Sequence, residues 1–75
     1  MIVQPASLVV TIFGGKRRLA RLLGVSPATI RKWGDAGGHI PAKKQRVLLD
    51  IAEKNGLHLT ADDIVRGREV EAVLA

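Results

Sequence analysis

The sequence has no cysteine and no tyrosine, and Phe13 and Trp33 are its only aromatic residues. The lack of cysteine excludes disulfide bonds, thiolate metal sites and thiol catalysis. Because 47% of the residues are hydrophobic and so few are aromatic, the core must consist of Leu, Ile, Val and Ala. This composition favours packed helices over a β-sheet.

Long apolar runs are also missing. The N-terminal stretch MIVQPASLVVTIF is apolar, but it lacks a basic start and is shorter than the ~20 residues that a membrane span needs. We therefore interpret it as the first core helix, and we expect no membrane partner and a cytoplasmic location. The length of 75 residues predicts one domain over residues 1–75, since so short a chain cannot build a second core.

Acidic residues are scarce in the middle of the chain. Between residues 16 and 46 there are nine Lys or Arg residues and a single acid, Asp35, whereas the whole chain has a net charge of +5. Such asymmetry indicates a polyanionic partner, with nucleic acid ahead of an anionic membrane. The basic residues fall on short, capped segments and not on one long amphipathic helix, which disfavours the membrane.

Turn and capping residues divide the chain into about five short helices. We expect helices that start at Pro5 and end at Gly14-Gly15, then span about 16–23, 27–36, 42–54 and 60–65. Among apolar residues of these helices, the periodicity predicts burial of Leu19, Ala20, Leu22 and Leu23 in the second and of Val47, Leu48, Ile51 and Ala52 in the fourth. Residues 68–75 are interpreted as a further helical turn or a frayed end.

The stretch KRRLARLLGVSPATIRKWGD, residues 16–35, has the spacing of a helix-turn-helix. A small residue, Ala20, stands where two helices would cross, and Gly24 can adopt the positive φ of a sharp turn. Ser26 as N-cap and Pro27 at the first helical position start the next helix. Gly34 and then Gly37-Gly38 are expected to end that helix by about Ala36.

Cations crowd the first turns of the second and fourth helices, where the helix dipole disfavours positive charge. A solvated helix face is the alternative, but it does not account for this placement. A phosphate backbone docked at these helix starts does account for it. The predicted phosphate-binding residues are Lys16, Arg17, Arg18, Arg21, Lys43, Lys44 and Arg46.

Several motifs together resemble the Cro-like helix-turn-helix family of small phage and bacterial DNA-binding regulators. They are Phe13-Gly14-Gly15, the residues from Leu19 to Trp33, Gly38-His39-Ile40-Pro41, and the segment from Leu59 to Ile64. The resemblance covers about residues 13–65. It implies an all-α bundle of about five short helices, similar to lambda repressor, whose third helix enters the major groove of double-stranded DNA.

When the roles of the family's residues are transferred position by position, the resemblance implies that five residues at the third helix face base edges. They are Ser26, Pro27, Ala28, Arg31 and Lys32. Arg31 is our choice for direct readout, since a guanidinium can bind guanine O6 and N7 together. The alternative for Arg31 is a phosphate contact. Lys32 suits either role.

Other residues have simpler interpretations than catalysis or metal binding. Trp33 could stack on a base, but its apolar position favours core packing. Ser26 is a cap and not a nucleophile, and His39 and His58 have no neighbouring ligand pattern, so no cofactor or metal is expected. The pair Asp62 and Asp63, three residues after Thr60, predicts a capping box.

The sequence thus predicts a non-enzymatic DNA-binding regulator that represses transcription by occluding a promoter. A homodimer is expected because one small module reads few bases, and Val70, Val73 and Leu74 are the candidate dimer contact. The alternative is an antitoxin or a phage regulatory protein whose main partner is another protein.

Overall fold

Five helices and one short antiparallel sheet make up the computed structural model, which describes residues 2–69. In chain order the elements are β1 (Ile2–Val3), α1 (Pro5–Phe13), α2 (Lys16–Leu23), α3 (Pro27–Asp35), α4 (Ala42–Lys54), α5 (Ala61–Arg66) and β2 (Arg68–Glu69). The predicted class, a bundle of five short helices, is confirmed. The proposed dimer contact at Val70, Val73 and Leu74 lies outside the described residues.

Each helix contributes to a single core that is mostly aliphatic, as the composition predicted, but the two aromatic residues, Phe13 and Trp33, are buried in it as well. Phe13, Leu19, Ile30, Leu48 and Ile64, one from each helix, are all 2% exposed or less. Burying side chains of this size stabilises a fold by about 1.5–3 kcal/mol each before the entropy cost of ordering the chain. The core therefore lies where all five helices meet.

Two apolar residues that the periodicity predicted as buried are exposed instead. Leu22 is 36% exposed and Val47 is 40% exposed. In α4 the buried residues are Leu48 and Ala52, which are four residues apart, so Val47 lies about 100° around the helix from this line. Short helices in a small bundle bury one narrow stripe, and residues beside that stripe stay in contact with water.

The small sheet was not predicted. The predicted start of the first helix at Pro5 is confirmed, but no strand was expected at residues 2–3, and residues 68–69 were expected to form a helical turn or a frayed end. Instead, Ile2 pairs with Glu69 and Val3 with Arg68. Pro5 occupies the first turn of α1, and the residue before a proline avoids helical backbone, so the helix cannot extend further back. Gly67 has a φ of 83°, and a Cβ there would overlap the carbonyl oxygen of Val3. Only glycine lets the two segments approach.

Asp63 holds the C-terminal elements together. Thr60 N donates a hydrogen bond to Asp63 Oδ2 at 3.0 Å, and Asp63 N donates one to Thr60 Oγ1 at 3.2 Å. These two bonds complete the predicted capping box. Arg68 Nη2 donates to Asp63 Oδ2 at 2.6 Å and Arg68 Nε donates to Oδ1 at 3.2 Å. Arg68 Nη2 also donates to the His58 carbonyl oxygen at 3.1 Å. One carboxylate thus joins α5, β2 and the segment before α5.

The hydrogen bonds from Arg68 hold the pKa of Asp63 below its ordinary value, and those from Thr60 act in the same direction against the opposing effect of burial. The same pair raises the pKa of Arg68. Because the pKa of Asp63 is lower in the folded state than in the unfolded state, the ion pair stabilises the fold at neutral pH. That contribution is lost as the pH falls below about 4.

We predict that Asp63→Asn lowers the free energy of unfolding at pH 7 by about 1–3 kcal/mol, because charge-assisted hydrogen bonds to a 24%-exposed Arg68 are lost. The difference from wild type should shrink at pH 3. Asp62→Asn is the matched control. Asp62 forms an ion pair with Arg66 at 3.4 Å, but the two side chains are 72% and 79% exposed, so this pair contributes little to stability. Equal denaturation midpoints for the two variants at pH 7 would contradict the role of Asp63.

Candidate nucleic-acid interface

The turn between α2 and α3 has the geometry that the spacing predicted. Gly24 adopts a φ of 71°, and Val25 N donates to the Ala20 carbonyl oxygen at 3.0 Å. Ala20 is only 2% exposed, and Val25 packs against the core. A larger side chain at Ala20 would separate the two helices, so this alanine and this glycine together set the angle of α3.

The start of α3 is fixed by Ser26. Its Oγ accepts a hydrogen bond from Thr29 N at 3.4 Å and lies 3.1 Å from Thr29 Oγ1. Pro27 follows at the first helical position, where its missing N–H costs nothing. The cap role predicted for Ser26 is confirmed, and it engages the hydroxyl with a neighbour in its own helix.

The two sides of α3 differ sharply. Ile30 and Trp33 are 2% and 6% exposed, so the core role predicted for Trp33 is confirmed. The five residues predicted to face base edges, Ser26, Pro27, Ala28, Arg31 and Lys32, are all exposed. The helix therefore presents one continuous outer surface that is free for a partner.

The predicted phosphate-binding cations are at the surface as well. All of them are exposed except Lys44, which is half-buried: Lys16, Arg17, Arg18, Arg21, Lys43, Lys44 and Arg46. Within residues 2–69 these side chains have no hydrogen-bond or ion-pair partner. Their helices, α2 and α4, have no acidic residue in the first turn and no side-chain N-cap. Arg21 lies in the last turn of α2, where the helix dipole favours a cation. The positive charge of the cations at the two helix starts is uncompensated by the described part of the chain.

Lys16 and Arg31 come together at a cleft of about 300 Å³ between α1 and α3. Its rim also carries Ser7 and Thr11 of α1, and Gly34 and Asp35 of α3. Ser7 and Thr11 could not be predicted as part of a site, because no motif marks them and the apolar periodicity of α1 reports only its core face. The cations of α4 are on a separate helix that contacts α2.

Gly34 lies inside α3. The helix continues through Asp35, where Ala36 N still donates to the Lys32 carbonyl oxygen at 2.9 Å. The helix ends by Ala36 as predicted, and it is Gly37 and Gly38, with φ of 91° and 81°, that redirect the chain. Gly34 thus has no role in ending the helix.

Residues 2–69 contain no group of three or more His, Asp or Glu side chains placed to hold a metal ion. Over the same range no helix has the length and apolar character to cross a membrane.

A tight two-helix corner with a basic, exposed second helix defines the class of helix-turn-helix DNA-binding domains. A family model described as "DNA-binding transcriptional regulator Cro" matches residues 6–53, which is well over half of the chain. The chain belongs to this family, as its motifs suggested. Comparisons with curated proteins and with solved structures gave no match.

Because Trp33 is the only tryptophan, its fluorescence tests which surface of α3 meets DNA. We predict that acrylamide quenching of the folded protein is weak and that duplex DNA leaves the emission wavelength unchanged, since the ring packs in the core. Arg31→Ala serves as the control. If bound DNA did change the Trp33 emission, the change at a given DNA concentration should be smaller in this variant, because it binds DNA more weakly. Strong quenching by DNA would mean that Trp33 stacks on a base.

Proposed function

We propose that the chain is a sequence-specific, double-stranded DNA-binding repressor of phage or bacterial type, acting in the cytoplasm by occluding a promoter. The observation that supports this most strongly is the set of unpartnered cations at the start of α2, beside the exposed face of α3. Placing cations at a helix N-terminus costs stability unless an anion binds there. The mechanism is steric, and it requires neither catalysis nor a cofactor.

In this proposal the cations of α2 and α4 bind phosphates, and α3 reads the bases. Lys16, Arg17, Arg18 and Arg21 bind phosphates on one side of the groove, and the α4 cations Lys43, Lys44 and Arg46 add further phosphate contacts. Such contacts position a protein on DNA without reading its sequence. The outer surface of α3 then supplies specificity.

Base reading depends chiefly on Arg31 and Lys32. Pro27 and Ala28 offer no side-chain hydrogen-bonding group, and the Ser26 hydroxyl is engaged with Thr29. Arg31 bound bidentately to guanine would contribute about 1–3 kcal/mol of discrimination against other bases. A surface with so few reading groups supports modest specificity for a single copy.

Two copies on a pseudo-palindrome would compensate for this modest specificity. Half-sites about 34 Å apart, or a multiple of that distance, would place both α3 helices in successive major grooves on one side of the duplex. We propose Val70, Val73 and Leu74 as the dimer contact. In the sequence they lie within the six residues that follow β2.

The second candidate is an antitoxin or a phage regulator that binds a protein partner, such as a toxin. Exposed Val47 and Val65 would suit such contacts. They are single side chains on different helices, however, and scattered apolar residues are normal on protein surfaces. DNA repression has the stronger support, and a toxin gene beside this one would favour the second candidate.

The predicted salt dependence follows from the number of phosphate contacts. If six basic side chains bind phosphate, the logarithm of the association constant should fall against the logarithm of salt concentration with a slope of about −5. Fluorescence anisotropy with a labelled duplex from low to physiological salt measures this slope. Binding that does not change with salt would exclude the proposal.

Arg31 and Arg17 provide a matched pair of arginine variants. Arg31→Ala should relax the preference among duplex sequences, because it removes a base contact. Arg17→Ala should weaken binding to all sequences alike and reduce the salt slope by about one. Anisotropy titrations with selected and random duplexes separate the two effects, and identical behaviour of both variants would refute the assigned roles.

A further inference from the structure

Gly34 is the only glycine within the described helices. Glycine inside a helix is less stable than alanine, because the unfolded chain loses more conformational freedom. The backbone of Gly34 has no positive φ that would require glycine. Its presence is therefore unfavourable for the fold taken alone.

Packing within the described residues does not require glycine either. A Cβ built on Gly34 meets no atom within 4 Å, so the protein has room for a side chain. At Gly38, in contrast, a Cβ would come within 2.7 Å of Gln4 Cβ. The space next to Gly34 is open to the outside, and a molecule that approaches α3 from there would meet bare backbone.

The open space is part of the cleft between α1 and α3. Lys16 and Arg31 line it, and neither side chain has a hydrogen-bond or ion-pair partner among residues 2–69. Asp35 is the one acid on the rim, so the net charge there is positive. The Ser7 hydroxyl, also on the rim, is a further donor for an anionic oxygen.

We propose that this cleft seats the sugar–phosphate backbone of the bound duplex, and that Gly34 is a positioning residue that allows this close approach. The inference rests on the proposed DNA-binding function and adds a second wall, α1, to the contact surface. Charge complementarity with Lys16 favours a phosphate, and Arg31, which is proposed to read a base, only adds to the positive charge of the rim. Continuity with the exposed face of α3 favours a phosphate of DNA over a free anion.

Gly34→Gln tests the inference, because glutamine favours helix and adds bulk without charge. We expect the variant to be folded and to melt about 2–4 °C above wild type, since a glycine in the last turn of a helix is replaced by a better helix former. Its dissociation constant for duplex DNA should rise about tenfold, the effect of losing one charge-assisted contact. Gly34→Ala should melt higher as well and show a smaller loss of affinity.

Ala61→Gln is the matched control. Ala61 is exposed on α5, a helix without proposed DNA contacts, so the same side chain there should leave DNA affinity unchanged. Gly34→Gln should also reduce the salt slope by about one, because the backbone is moved away from Lys16. In a Lys16→Ala background the tenfold loss should therefore become smaller.

Equal DNA affinity of Gly34→Gln and Ala61→Gln, with salt-dependent binding by wild type, would overturn this inference and leave the proposed function in place. Failure of wild type to bind DNA would overturn both. If inorganic phosphate raised the melting temperature of wild type but not of Gly34→Gln, and DNA affinities were equal, the cleft would hold a free anion and the inference would be wrong.

Discussion

The close packing of α2 against α3 is the constraint on which the rest of this small protein depends. Ala20 is buried, and Gly24 turns the chain with a positive φ, so the two helices meet at one defined angle. Ile30 and Trp33 then enter the core from the inner side of α3. Because these two side chains fix the rotation of α3, its outer side presents Arg31 and Lys32 to solvent.

Electrostatics explains why a domain of this size tolerates so many cations. The α2 and α4 helices begin with Lys and Arg where the helix dipole favours acids, and within the described residues nothing neutralises them. The first turn of α5 carries acids where those of α2 and α4 carry cations: it contains Asp62 and Asp63, and it has a capping box at Thr60. The same chain thus places acids at the helix start that serves folding and cations at the starts that would serve binding.

Local sequence patterns were sufficient for most of the fold. Gly14, Gly24, the Ser26-Pro27 pair and the Thr60/Asp63 capping box all act on neighbouring residues, so the helix ends could be predicted from them. The sheet could not be predicted, because Val3 and Arg68 pair across almost the whole chain and neither short segment has a β-strand pattern. The exposure of Val47 was missed for a related reason: which stripe of a helix is buried depends on its neighbours.

In the candidate site, too, some features follow from local sequence and others depend on contacts between distant segments. The exposed face of α3 follows from helical periodicity, whereas the cleft beside Gly34 requires α1, α2 and α3 to come together. In the sequence Gly34 resembled a helix terminator, and only its place inside α3 shows that another explanation is needed. Ser7 and Thr11 face this cleft without any motif that marks them.

Selection of bound duplexes from a random pool at physiological salt tests the central claim most directly. A sequence-specific regulator that binds as two copies should enrich one two-fold symmetric motif, with half-sites about 10 base pairs apart or a multiple of that spacing. Conserved guanines in each half-site would agree with Arg31 as a base reader. Recovery of bound DNA without any enriched motif would contradict the account.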